Sequence, residues 1–324
     1  MQSTVSRRVA LAALSATVLP LHAQANWPSK PIHLVVAYPP GGVSDIVARA
    51  LGDRLAAALG QPVVVENKAG ASGTIGVDAV AKAAPDGHTF GFAAISPIAL
   101  TPHLGKVPFD PVRDLVPVVG VMDSPVLLLA TTATPAKDLR ELLAAAKARP
   151  GALRWATSGP GSLGHLMLEQ LKAAAKVDIT HIPYKGGGQQ INDALGGQFE
   201  VLSVNASPVI SQHVKAGKLR VLAVGSPSRL DAFAAAPTLA ELGYPAANLS
   251  SVFGIFAPVG VPPAVVERLN AEVNKALATP ELRSRLVASD NVPTGGSAAA
   301  FAKLIATESD NNARIIRAAH IQAE

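Results

Sequence analysis

Residues 155–165 read WATSGPGSLGH, and GPGSLG within them matches G-x-G-x-x-G. The match follows a β-like run (LRWATS) and opens a helical one (SLGHLMLEQLKAAAK). That is the setting in which such glycines hold a dinucleotide. Three other stretches share its chemistry: Tyr38–Asp45 (YPPGGVSD), Asn67–Thr74 (NKAGASGT) and Pro183–Gly188 (PYKGGG). Each sets glycines and hydroxyls just before a helical pattern. Glycine lets backbone N–H groups approach a ligand closely, and a helix N-terminus presents unpaired donors with partial positive charge. A single loop of this kind is usually a turn and a cap. Four of them at strand ends describe an anion site that needs few charged side chains.

The competing chemistries are poorly supported. A dinucleotide site wants an acid about 20 residues past the glycines, at the end of the next strand. Here that strand ends in Pro183-Tyr184-Lys185, and its acid, Asp178, stands at its start. Lys185 could take a 2′-phosphate, but a soluble redox cofactor is not expected outside the cytoplasm, where the N-terminus points. Around Ser162 the sequence PGSLG is one residue short of a G-x-S-x-G nucleophile elbow. His165 lies one turn beyond Ser162, which suits capping or ligand contact better than a serine–base pair. The histidines show neither H-x-x-x-H nor H-E-x-x-H spacing, and there is no cysteine, so no metal site or thiol nucleophile is visible. Asp45 reads first as an acid satisfying first-turn helix donors. Asn205 and Ser207, ending EVLSVNAS, are either a helix cap or amide and hydroxyl contacts to a ligand. Lys185 is either a solvated lysine or a cleft residue. No catalytic constellation, cofactor or metal is expected.

The elements that must position these loops alternate between strand and helix from Pro31 onward, an α/β pattern with mainly parallel sheets. IHLVVAYP is followed by a helix with Ile46, Val47, Ala50, Leu51, Leu55 and Leu59 on one face, capped by Ser44 and stopped by Gly60. PVVVEN, a helix over 74–84 and HTFGFAAIS complete a first series. Leu115–Ala133, interrupted by Pro117, Asp123 and Pro125, reads as strands around a turn. A second series runs from VLLLAT through helices at 137–148, 163–175, 189–195 and 209–216 to LRVLAVGS. A third holds VFGIFAP, helices at 263–278 and 280–287, and a last helix near 298–318. Two series and a return fit two domains, with chain crossings near Pro125–Ala130 and Val221–Ser226. The ligand belongs in the cleft between them, at strand carboxyl ends and helix amino ends.

Hydrophobic residues make up 49% of the 324, but aromatics only 4%, so the cores must be packed with Ala, Val and Leu. Arg7 and Arg8, the apolar run Val9–Leu19 and Ala23-Gln24-Ala25 form a signal peptide pattern over residues 1–25, with a mature start near Asn26. A half-match to a twin-arginine signal (SRRVAL) leaves the export route open. The chain carries 28 basic and 23 acidic side chains, a balance of +5 that falls to +3 without Arg7 and Arg8. That is a mildly basic surface and not a nucleic-acid footprint.

The mature chain also resembles the periplasmic substrate-binding receptors of tripartite tricarboxylate transporters, the Bug/TctC-type proteins. The stretches that carry the resemblance include WPSKPIHLVVAYPPGGVSDIVARAL, VVVENKAGASGTIG, ATSGPGSLGHL, HIPYKGGGQQINDALGGQ, HVKAGKLRVLAV and FAPVGVPPAVVERLNAEV. The resemblance implies a two-domain periplasmic binding protein, a Venus flytrap of type II-like form with two crossover strands. Its domains would be 26–124 plus 227–324, and 125–226. It implies a monomer that captures a small carboxylate and delivers it to membrane transporter subunits. An exported α/β enzyme acting on a carboxylate ester and a ligand-sensing adaptor are the alternatives. By position, Pro40, Gly41, Gly42, Ser44 and Asp45 correspond to the family's first loop. Ala71, Ser72 and Gly73 fall on its second, and Ser96 on the end of the third strand. Ser158, Gly159, Gly161, Ser162 and His165 fall on the opposing loop, beside Tyr184, Lys185 and Gly186. Many members carry an acid where this chain has Asn205. Losing that carboxylate removes a partner for an ammonium group, so a non-amino acid such as a dicarboxylate or an aromatic acid is the expected ligand.

Overall fold

A computed structural model describes residues 27–319 and 321. The expected signal peptide and the start at Asn26 lie outside the described residues. The first group of elements is β1 (Ile32–Val36), α1 (Val43–Leu59), β2 (Val63–Asn67), α2 (Thr74–Ala81), β3 (Thr89–Ala94) and the short helices α3 (Ser96–Ala99) and α4 (Thr101–Leu104). Helix α1 buries Val43, Val47, Ala48, Leu51 and Leu55 along one stripe. It ends at Gly60, whose φ of 70° lets its N–H return to the carbonyl of Ala56. β1 pairs in parallel with β2 on one side and β3 on the other.

The region expected to form strands around a turn is instead one strand, β4 (Leu115–Ala130), 16 residues long. Its prolines fall where the ladder can spare an N–H. Pro117 sits at a register shift against the partner strand, and Pro125 at the point where the partners change. The apolar runs on either side, Val118–Met122 and Val126–Ala130, are almost wholly buried and hold the strand together across both breaks.

After β4 come α5 (Leu139–Ala148), β5 (Arg154–Thr157), α6 (Leu163–Ala175), β6 (Thr180–Pro183), α7 (Gly187–Leu195), β7 (Val201–Asn205), α8 (Pro208–Lys215) and β8 (Arg220–Gly225). Residues 226–249 are largely irregular. They lead into β9 (Ser250–Pro258), α9 (Pro263–Ala278), α10 (Pro280–Val287), β10 (Val292–Gly295) and α11 (Ala298–Ala319). The sheet path runs β2-β1-β3-β9-β4-β7-β5-β6, with β8 and β10 also paired to β4. Parallel pairing is confined to the flanks, β1 with β2 and β3, β5 with β6 and β7. All partners of β4 are antiparallel. Residues 115–125 of β4 pair with β9, and Val126–Ala130 lie between β7 and β8. The strand thus belongs to both halves of the molecule. β8 stays paired inside the second half, and the chain re-enters the first at β9.

Each half has apolar layers on both faces of its sheet. Phe90, Phe92 and Leu51 anchor the first, and Trp155, Leu128 and Met167 the second. Full burial of each such side chain contributes on the order of 1.5–3 kcal/mol. The 22-residue α11 spans about 33 Å and joins the two halves. Phe301 and Ile305 pack in a core of the first half, while Ile316, with Ile321 just beyond, packs in the core of the second.

Candidate functional site

The glycine and hydroxyl loops meet between the two halves around a cavity of about 60 Å³. One wall comes from the β1–α1 loop (Tyr38, Pro39, Gly42, Val43, Ser44), Ser72, Ala94 and Ser96. The other comes from the starts of α6 (Ser158, Ser162, Leu163, Gly164) and α7 (Gly187) and the end of β7 (Ser203, Val204, Asn205, Ser207). Val126 of β4 and Ser251 and Phe253 of β9 complete the lining, with Ile191 of α7. The polar lining consists of serines, one tyrosine and one asparagine, without an acidic or basic side chain.

Helix α1 from one half and helices α6 and α7 from the other begin at this cavity. Their first-turn N–H groups have no intrahelical acceptor and carry the positive end of each helix dipole. The local sequence explains the geometry. Ser162 is the N-cap of α6 and its Oγ accepts from the N–H of His165 at 3.2 Å. Ser207 caps α8 in the same way for Ile210. In the buried wall behind the cavity, the indole of Trp155 donates to Ser203 Oγ at 3.0 Å, so that hydroxyl keeps its own proton for another acceptor.

Of the residues singled out in the sequence, Gly42, Ser44, Ser72, Ser96, Ser158, Ser162, Asn205 and Ser207 line the cavity. The others take different positions. Asp45 is buried beside the first wall, where it accepts from the Gly41 N–H and Asn67 Nδ2, each at 3.0 Å, and pairs with Arg49 at 2.9 Å. Burial opposes its ionisation, but these partners outweigh that and hold the carboxyl below its ordinary range. His165 stacks on His181, ring centroids 4.4 Å apart, and its Nδ1 accepts from the Gly161 N–H at 3.3 Å. Tyr184 turns away to donate to Asp193 Oδ2 at 2.7 Å. Burial, then the Asp193 bond and charge, push its phenol up to about 12. Lys185 is exposed. Pro40 sits over α7, with its carbonyl 3.4 Å from where a Cβ on Gly188 would lie. Ala71 and Gly73 flank Ser72 in a turn of positive φ.

Gly159, Gly161 and Gly186 mark where the halves touch. A Cβ on Gly161 would lie 2.9 Å from Thr101 Oγ1, and one on Gly186 would lie 2.5 Å from Cδ of Pro39. A Cβ on Gly159 would meet Ser72 Oγ at 2.6 Å. Ser72 Oγ also donates across the gap to the carbonyl of Pro160 at 2.5 Å. The two halves are therefore closed on one another. The lining residues without a sequence signal, Ser203, Ser251 and Phe253, lie inside strands. Only strand alternation could have pointed to them.

The family model for the tripartite tricarboxylate transporter family receptor matches residues 47–321. The chain belongs to that receptor family. It is 38% identical over 294 residues to Protein BugT of Bordetella pertussis, covering 90% of each chain. Among solved receptors of this type, Rpa4515 of R. palustris, determined with adipate, is 32% identical with a TM-score of 0.87, covering 91% of this chain and 99% of that one. MatC of Rhodopseudomonas palustris, with bound malate, is 30% identical with a TM-score of 0.84, covering 89% and 99%. The receptor fold is that of a two-domain, type II-like periplasmic binding protein. No helix among its described residues is long and apolar enough to cross a membrane.

Proposed function

We propose that this receptor captures a small carboxylate in the cavity between its halves and hands it to the membrane subunits of a tripartite tricarboxylate-type transporter. The observation that carries the reading is the opposition of helix starts: α1 on one side, α6 and α7 on the other, around serines and no charged side chain. Such a site satisfies an anion's oxygens with N–H and O–H donors and selects against cations. Gly42, Ser44, Ser72, Ser96, Ser158, Ser162 and Asn205 are the proposed ligand contacts. Adipate and malate, found with two relatives, are acids of this kind.

The chain is an exported periplasmic monomer in this proposal, cleaved near Ala25, with 26–124 plus 227–324 as one domain and 125–226 as the other. An acid that bonds both walls interacts more strongly with the closed form than the open one, and that difference drives closure. The role is binding without turnover. The hydroxyl of Ser162 is occupied as a helix cap, and His165 offers its Nδ1 to a backbone N–H.

Thermal melting against a panel of carboxylates, sugars and amines tests this. At about 100 times its Kd, a ligand stabilises the folded state by about 2.7 kcal/mol. One or more carboxylates should raise the melting temperature and be recovered unchanged. A shift produced by sugars or amines alone would overturn the reading.

A further inference from the structure

Asn205 ends β7 and lines the cavity. Its Nδ2 donates to the backbone carbonyl of Ser124 in β4 at 3.0 Å. Only the amide nitrogen can donate to a carbonyl, so this bond fixes which way the side chain faces. The strand end cannot swing away, since Asn205 pairs with Val126 and the next N–H, of Ala206, donates to the carbonyl of Pro125 at 3.0 Å. The remaining atom, Oδ1, has no partner among the described residues and is not sealed from solvent.

That oxygen differs from every other polar side-chain group in the lining. The serines and Tyr38 carry hydroxyls, which can donate or accept, whereas Asn205 Oδ1 can only accept. A carboxylate oxygen also only accepts, so the part of the ligand facing Asn205 must bring a hydrogen. An ammonium group could do so, but a full charge leaving water needs an anionic partner. The lining holds no acid, and the nearby carboxylate of Asp45 is already taken by Gly41, Asn67 and Arg49. A neutral hydroxyl meets both conditions.

We infer that Asn205 is a specificity-determining residue that accepts a hydrogen bond from a hydroxyl on the ligand, so the cargo is a hydroxy-carboxylate and not its unsubstituted or amino counterpart. This rests on the carboxylate reading above.

Calorimetry on three matched triads tests it: propionate, lactate and alanine; succinate, malate and aspartate; phenylacetate, mandelate and phenylglycine. The hydroxy member of at least one triad should bind about tenfold tighter than both its partners, the effect of one hydrogen bond. Asn205→Ala should bring that ratio close to one while the chain stays folded, melting somewhat lower because the Ser124 carbonyl loses a donor. Asn205→Asp should retain the hydroxyl preference and gain affinity for the amino member. Equal or tighter binding of the unsubstituted or amino acids by the parent chain overturns the inference without needing any variant to fold. So does an Asn205→Ala chain that keeps the preference, because a serine or a water would then be reading the hydroxyl. If other carboxylates bind but no triad member does, the hydroxyl assignment falls and the carboxylate reading stands. If no carboxylate binds at all, both fall.

Discussion

Two acids, the buried Asp45 beside the cavity and the half-buried Asp123 in β4, should give the acid limb of the stability curve opposing slopes. Asp45 is held below its ordinary range. The stability it contributes is present above the unfolded value of about 3.9 and is lost as pH falls through the lower folded value. Asp123, in β4, is displaced the other way. Burial raises it, and bonds from the Ser250 hydroxyl and the Ser124 N–H offset that only in part. Its carboxylate form is therefore a cost that grows as pH rises from about 3.9 through the elevated folded value. Thermal melts from pH 3 to 8 should separate the two. Asp45→Asn is expected to lose about 1–3 kcal/mol at neutral pH, because three donors lose a charged acceptor. It should also flatten the decline below about pH 4. Asp123→Asn should melt higher than the parent at pH 7 and lose the decline seen above about pH 4. Parallel profiles for the two variants would contradict these environments.

At the scale of loops and strands, the glycines act at a different place from the serines. The sequence reading gave both the same task, an approach to the ligand's oxygens. In the structure the serines line the cavity, whereas Gly159, Gly161 and Gly186 leave room for the opposite half to close. Gly186→Ala should therefore weaken binding by disfavouring closure, since a Cβ there meets the ring of Pro39. Apparent affinity falls by the factor lost from the closed population, about tenfold for each 1.4 kcal/mol. Small-angle scattering with saturating ligand should show a larger radius than the parent chain. An unchanged affinity would mean that the halves need not approach this closely. The loops were legible because Gly, Pro and Ser before an apolar helical period have local meaning. The 16-residue β4 was not, because Pro117 and Pro125 break a local pattern that only its distant partners β9, β7 and β8 restore. The four-residue β10, alternately exposed and half-buried, is too short to leave a periodic trace. The inward serines Ser203 and Ser251 look in sequence like any other strand position.

Over the whole molecule, each half is completed by chain far from where it begins. β9 fits between β3 and β4, and the second core, which takes in Leu100 and then Val126, is finished by Leu239, Ala247, Ile316 and Ile321. Long-range contacts of this kind delay folding until both partners are present. Ending the chain after residue 310 should leave the faces around Leu166 and Leu171 uncovered. It should lower the melting temperature and produce dye binding typical of exposed apolar surface. Native-like melting of that truncation would show that the end of α11 is dispensable. The bridging helix also has a bearing on the order of synthesis. Its last turn closes a core that includes Leu100, more than 200 residues earlier, and its first turns supply Phe301 and Ile305 to the other half, so neither half can finish as it leaves the ribosome. The second core thus stays open until residues 316–321 have been made, long after the strands and helices it covers have left the ribosome.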